Sequence, residues 1–218
     1  MTFKLDSDLS AVNSVLAAIG QAPVTYLVGE GLGVIENPEV AMVKSLIDET
    51  TIDVQNEEWQ FNTESNRPFS PEVQDDGTLQ FIVPENALRM NLSGGQVYHY
   101  WDIIVKGDRL YNKTYHTTDV REWKNLKQNQ PLYFDMVYAY DFVDLPPVFQ
   151  RYITLRASQR AATQLVSNAD LTKLLQEQVV MARTACIEYN ANQGEYNFMG
   201  WPTNTAYRPY MPFNTLAR

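Results

Sequence analysis

The chain has 218 residues, a formal net charge of -9, and 44% hydrophobic and 12% aromatic residues. That is enough apolar material for one large domain or two small ones, and the acid excess argues against a protein that coats nucleic acid, which needs a basic face. A single cysteine excludes an internal disulfide framework; Met1 to Asp6 forms no apolar signal core and no apolar run reaches membrane length, so the expectation is a soluble protein without an obvious signal.

Asp6, Ser7 and Asp8 precede Leu9, Val12, Leu16 and Ile19, the pattern of a short amphipathic helix with a polar cap. Gly20 closes it and Pro23 prevents its resumption. Val24 to Val28 is short and β-prone, and Gly29, Gly31 and Gly33 make a flexible loop. Asn37 and Pro38 read as the cap and first position of a second helix running to about Glu58, with Val40, Val43, Ile47 and Val54 buried.

From Trp59 to Asp144 short aromatic and β-branched runs alternate with Pro, Gly, Asn and Asp, which predicts antiparallel strands joined by turns. The candidates are Trp59 to Phe61, Leu79 to Val83, Val97 to Trp101, Ile103 to Val105, Arg109 to Tyr111 and Leu132 to Phe142. Lys106 to Arg109 reads as a tight hairpin turn. Leu132 to Phe142 is the longest and is expected to be central.

Leu145 to Gly194 reads as two long helices with a tight break. The first opens at Pro146 and Pro147, where no intrahelical bond is lost, and carries Val148, Tyr152, Leu155, Ala162 and Val166 on one stripe, with Gln159 in its polar slot. The break, Ser167 to Asp170, holds short side chains suited to capping a new helix. The second helix carries Leu171, Leu175, Val179, Ala182, Cys186 and Tyr189 on one face, and so short a turn predicts an antiparallel hairpin. Beyond Gly194 the chain is aromatic and proline-rich, and proline keeps such a segment extended.

The fold class expected is therefore α+β: a bundle of N- and C-terminal helices with an inserted antiparallel β domain. Residues 1–58 and 145–197 form the bundle, 59–144 the β-rich insertion, and 198–218 an extended tail. Leu16, Val43, Leu155 and Leu175 are expected to share the bundle core. The second helix is acidic, whereas the helix from Val148 to Val166 bears Arg151, Arg156 and Arg160 and no carboxylate. Either both are solvated faces, or they meet within one chain or between neighbours. Arg151, Arg156 and Arg160, with Trp201, Tyr207, Tyr210 and Phe213 of the tail, are the candidate subunit or partner interface.

Catalytic signatures do not emerge. Gly29, Gly31 and Gly33 fail the dinucleotide spacing because Glu36 stands where a further glycine is required. His99 and His116 lie apart, in no metal-ligand spacing. Cys186 sits on an apolar stripe, where a thiol behaves as a small core residue. No pair among the carboxylates is singled out, and no cofactor is expected. The composition favours a structural or assembly protein over an enzyme; the alternative is a hydrolase of host surface polysaccharide using Asp or Glu of the β section.

An ordered set of segments resembles tail tubular protein A of short-tailed bacteriophages: Leu9 to Val24, Glu58 to Asn62, Asp144 to Ser158, Leu175 to Glu177 and Cys186 to Tyr189, with Val83 to Met90 and Arg109 to Tyr111 matching more weakly. These are helix and turn patterns spanning most of Leu9 to Asn197. The resemblance implies an adaptor, or gatekeeper, forming a ring, typically of twelve subunits, in the virion tail and assembled in the host cytoplasm. Such a ring joins the portal protein to the nozzle (tail tubular protein B), helps hold the tail fibres, and lets the genome pass. It implies no membrane partner and a helical bundle made by both chain ends plus a β domain. The segment Thr63 to Gly77 and the tail match nothing in that pattern.

Overall fold

The computed structural model describes residues 8–27, 37–93, 101–124 and 131–194. They divide between two compact units, one of residues 8–57 and 140–194, the other of residues 58–139. The architecture is α+β, with helices at both ends of the chain and strands between.

In the helical unit, α1 (Asp8–Ala18) ends at Gly20, whose φ of +80° lets the Gln21 amide turn back to the Leu16 carbonyl at 2.9 Å. α2 (Pro38–Gln55) starts as its sequence demands: the Asn37 side chain accepts from the Glu39 amide at 2.9 Å, and Pro38 occupies a first-turn position. The chain re-enters the unit at Tyr140. There the fully buried Gln55 donates to the Tyr140 carbonyl at 3.0 Å and accepts from its amide at 2.8 Å. Both ends of the Gln55 amide are satisfied, so its burial costs little. α3 (Pro147–Ala161) follows and packs against α1, α2 and α4 (Ala169–Gln193). Asn168 caps α4, its side chain accepting from the Asp170 and Leu171 amides at 3.0 and 3.2 Å.

Leu16, Val43 and Leu175 are buried in this unit as expected, but Leu155 is only half-buried. The buried face of α3 is carried by Phe149, Tyr152, Ile153, Ala157 and Ala161. Two apolar stripes compete on this helix, and the one bearing Phe149 and Ile153 faces inward. Gln150 and Ser158 go inward with it because each finds a backbone acceptor: Gln150 donates to the Phe142 and Val143 carbonyls, and Ser158 to Thr154. Val166 is 41% exposed, contrary to expectation. Residues Ala162–Val166 form a π-helical turn, closed by the Ser167 amide on the Ala162 carbonyl at 2.9 Å. Its wider winding rotates the stripe off the core.

In the β unit the three-stranded sheet has the order β1 (Thr63–Phe69), β7 (Leu132–Tyr138), β4 (Ala87–Leu92), all antiparallel. β7 is central, with Leu132, Phe134 and Met136 alternating into the core. β2 (Glu72–Val73) pairs with β3 (Leu79–Gln80), and β5 (Ile103–Lys106) with β6 (Arg109–Asn112) across the turn at Gly107. The core gathers Phe81, Trp101, Trp123 and Phe134, with ring centroids 5.8–6.1 Å apart for Phe81–Trp123, Trp101–Trp123 and Phe81–Phe134.

Several expectations change here. Gln60–Asn62 is a 3₁₀ turn rather than a strand, because Asn62 bonds the Trp59 amide and the Tyr138 carbonyl, each at 3.0 Å. The central strand stops at Tyr138, and Phe142–Asp144 forms another such turn. Residues 24–27 form no strand: Val24 is held by both polar atoms of Asn13, at 2.8 and 2.9 Å. β1 arises from a run with no apolar alternation. It is an edge strand, which tolerates Pro68, and it bulges between Glu64 and Arg67, where the Asn66 amide donates to Asp135. Val97 to Tyr100, the glycines from Gly29 to Gly33, and the whole tail lie outside the described residues.

Candidate functional site

The arginines of α3 split between two sides of the helix. Arg156 donates to Glu57 at 3.1 Å and lies over the Tyr152 ring at 6.0 Å. Arg160 pairs with Asp53 and reaches the Thr50 hydroxyl at 3.3 Å. Glu57 also accepts from Arg183 of α4, at 3.0 Å. α3 and α4 are thus tied to the turn that follows α2 by one carboxylate holding two guanidinium groups, and the acidic and basic faces meet within the chain at these residues. Arg151 is different. It is exposed, and among the described residues it joins no ion pair. Trp201, Tyr207, Tyr210 and Phe213 lie outside the described residues.

Arg151 borders a groove of about 270 Å³ between α3 and α4, lined by Val148, Leu155, Met181 and Ala185 with Gln178 at its rim. α4 itself is the least covered helix. Of its 25 residues only Leu175, Ala182 and Cys186 are buried, while Leu174, Val180, Met181 and Ile187 are 52–72% exposed. Sequence reasoning assigned one face of α4 to the core and left these four residues unplaced. Their signal was there: a helix apolar on several sides has more than one side to cover. Met42 and Ile52 on the outer side of α2, 38% and 49% exposed, were likewise missed.

Cys186 and Lys44 are built into the fold. Burial pushes the Cys186 thiol up to about 12, with the Glu57 carboxylate adding to the shift and Arg183 opposing it. Its sulfur lies 3.6 Å from the Val148 carbonyl. A thiol so disposed is a packed core group, far from the thiolate a nucleophile needs. Partial burial would lower the Lys44 pKa, but hydrogen bonds and charge from Asp48 and Asp8 outweigh it and raise the pKa. His116 sits in a turn with φ +56°. Among the described residues no three His, Cys, Asp or Glu side chains cluster as metal ligands, and no helix is long and apolar enough to cross a membrane.

The chemistry these surfaces offer is adhesion: long exposed apolar side chains on a rigid helix, rimmed by charge, of the kind that docks protein on protein. Such surfaces suit a structural protein that assembles with others. The model of the tail tubular protein family matches residues 9–196, and the chain belongs to that family. It is thereby a structural component of the phage tail. A search of curated proteins finds no match.

Proposed function

We propose that the protein is the adaptor of a short-tailed phage: copies of it form a ring that joins the portal to the tail nozzle and conducts the genome without chemistry of its own. The observation that carries the reading is α4, which presents Leu174, Val180, Met181 and Ile187 to solvent in the single chain. Such residues cost free energy in water, about 25 cal/mol per Å² of apolar area left exposed, and an assembled state recovers it. The family match over residues 9–196 supports the tail as the place of that assembly. The hydrolase alternative gains no support from the family.

A conduit that grips DNA would stall it, since each phosphate neutralised by a basic side chain releases counterions and adds affinity. The net charge of -9 suits a passive wall. Asp75 and Asp76 in the β2–β3 turn are carboxylates such a wall could use, whereas Asp53 and Glu57 are occupied by arginines. The Thr78 hydroxyl and amide hold Asp76 below the usual carboxylate range, so it stays ionised.

Two measurements test the reading. Purified protein mixed with its portal is expected to form a ring under the portal in electron micrographs; a portal that never retains it overturns the adaptor role. Duplex DNA is expected to migrate unshifted beside the protein even at about 50 mM salt, and a shift that fades with added salt, the mark of phosphate contacts, makes the protein a DNA-gripping gate.

A further inference from the structure

We propose that the groove between α3 and α4 of one copy receives the outer face of α2 from the next copy, with Glu49 of one chain meeting Arg151 of the other. The inference rests on the ring reading and names the surfaces that would close it.

The groove offers apolar walls, Val148, Leu155, Met181 and Ala185, and one guanidinium, Arg151, with no carboxylate partner among the described residues. A cation beside apolar walls becomes costly once a partner excludes water, unless that partner brings an acid. The outer side of α2 brings one. Met42, Ser45, Glu49 and Ile52 recur at spacings of three, four and three residues, on one exposed stripe turned away from the buried Val40, Val43, Ile47 and Val54. Met42 and Ile52 are exposed large apolar side chains. Glu49 joins no ion pair among the described residues, whereas its neighbours Asp48, Asp53 and Glu57 are engaged by Lys44, Arg160 and by Arg156 with Arg183. Each surface holds the charge the other lacks.

The two surfaces cannot satisfy each other within one chain. α2 lies on the side of α3 from which Arg156 and Arg160 reach it. Arg151 stands nine residues before Arg160, which at 100° per residue places it about half a turn away, on the opposite side of α3. By the same count Val148 and Leu155 lie about 80–140° around α3 from Arg156 and Arg160, so the groove opens to a different side of α3 from α2, and the exposed α2 stripe does not face it. A contact between two different patches of the same molecule is heterologous, so it repeats from copy to copy and closes into a ring when the rotation permits.

Cysteine pairing tests this in the full-length chain, with the buried Cys186 as an inert background. Treated with a short bis-maleimide, which spans the reach of the two long side chains where a disulfide would not, a mixture of E49C and R151C is expected to give a cross-linked pair, either variant alone none, and the double variant a ladder of multimers. Separately, R151E or E49R is expected to weaken self-association about tenfold, and the two together to restore it, since the charge pair is re-formed in reverse. Circular dichroism of the single variants should be unchanged, both sites being exposed. An assembly that forms without the 49–151 link, or one that links 49 to 49 or 151 to 151, overturns this contact and leaves the ring reading standing. A protein that sediments as one chain at every concentration, with and without its portal, overturns both.

Discussion

Ile153→Ala and Leu155→Ala, two residues apart on α3, remove the same three carbons from opposite environments. At about 0.8 kcal/mol per buried methylene the transfer loss alone approaches 2.4 kcal/mol. Ile153 is 0% exposed, so the full transfer loss applies and an unfilled cavity adds to it, for about 3–4 kcal/mol in all. Leu155 is half-buried at the wall of an open groove. Part of its transfer loss is already incurred in the native state and no closed cavity forms, so about 1 kcal/mol is expected. Guanidinium unfolding of dilute protein, followed by far-ultraviolet circular dichroism, reads the difference, because the helical unit dominates that signal. Two transitions would be resolved separately if the units unfold independently. Equal losses at both positions would show that the groove is filled in the single chain, and the reasoning about α3 would fail. A loss below about 1 kcal/mol at Ile153 would place the core elsewhere.

Cys186 is expected to resist iodoacetamide in the native protein at about pH 8.5 and to react once unfolded, since only the unfolded thiol ionises near its ordinary value; prompt native reaction refutes its burial. The sign of the linkage follows: between the ordinary value of 9.0 and about 12 the unfolded state binds fewer protons, so Cys186 contributes falling stability as pH rises through that window. Reversing Arg156 and Arg160 to glutamate sets two acids against Glu57 and Asp53, and is expected to lower stability by roughly 1–2 kcal/mol; an unchanged denaturation midpoint would show these pairs to be idle. Deleting residues 198–218 is expected to spare cooperative unfolding and impair assembly, because aromatic side chains anchor interfaces; aggregation of the shortened chain would show that the segment covers its own domain.

What the amino-acid order determined by itself was local. Asn37 with Pro38, Gly20, and Asn168 announce helix ends because capping needs only neighbours along the chain. The α4 stripe of Leu175, Ala182 and Cys186, and the period-two run of β7, are legible because one buried face repeats with the element's own geometry. The tertiary structure decided which of two apolar stripes on α3 faces inward, since Phe149 and Leu155 are equally apolar and only their surroundings separate them. It decided that the polar run Thr63–Phe69 becomes an edge strand, a status that depends on β7 being beside it. It also decided the fate of the arginines. Arg151, Arg156 and Arg160 are alike in sequence, yet two face acids in α2 and just past its end, Asp53 and Glu57, and the third lies about half a helical turn away at the rim of a groove. An ion pair is set by where distant segments are brought together, and local spacing carries no record of that.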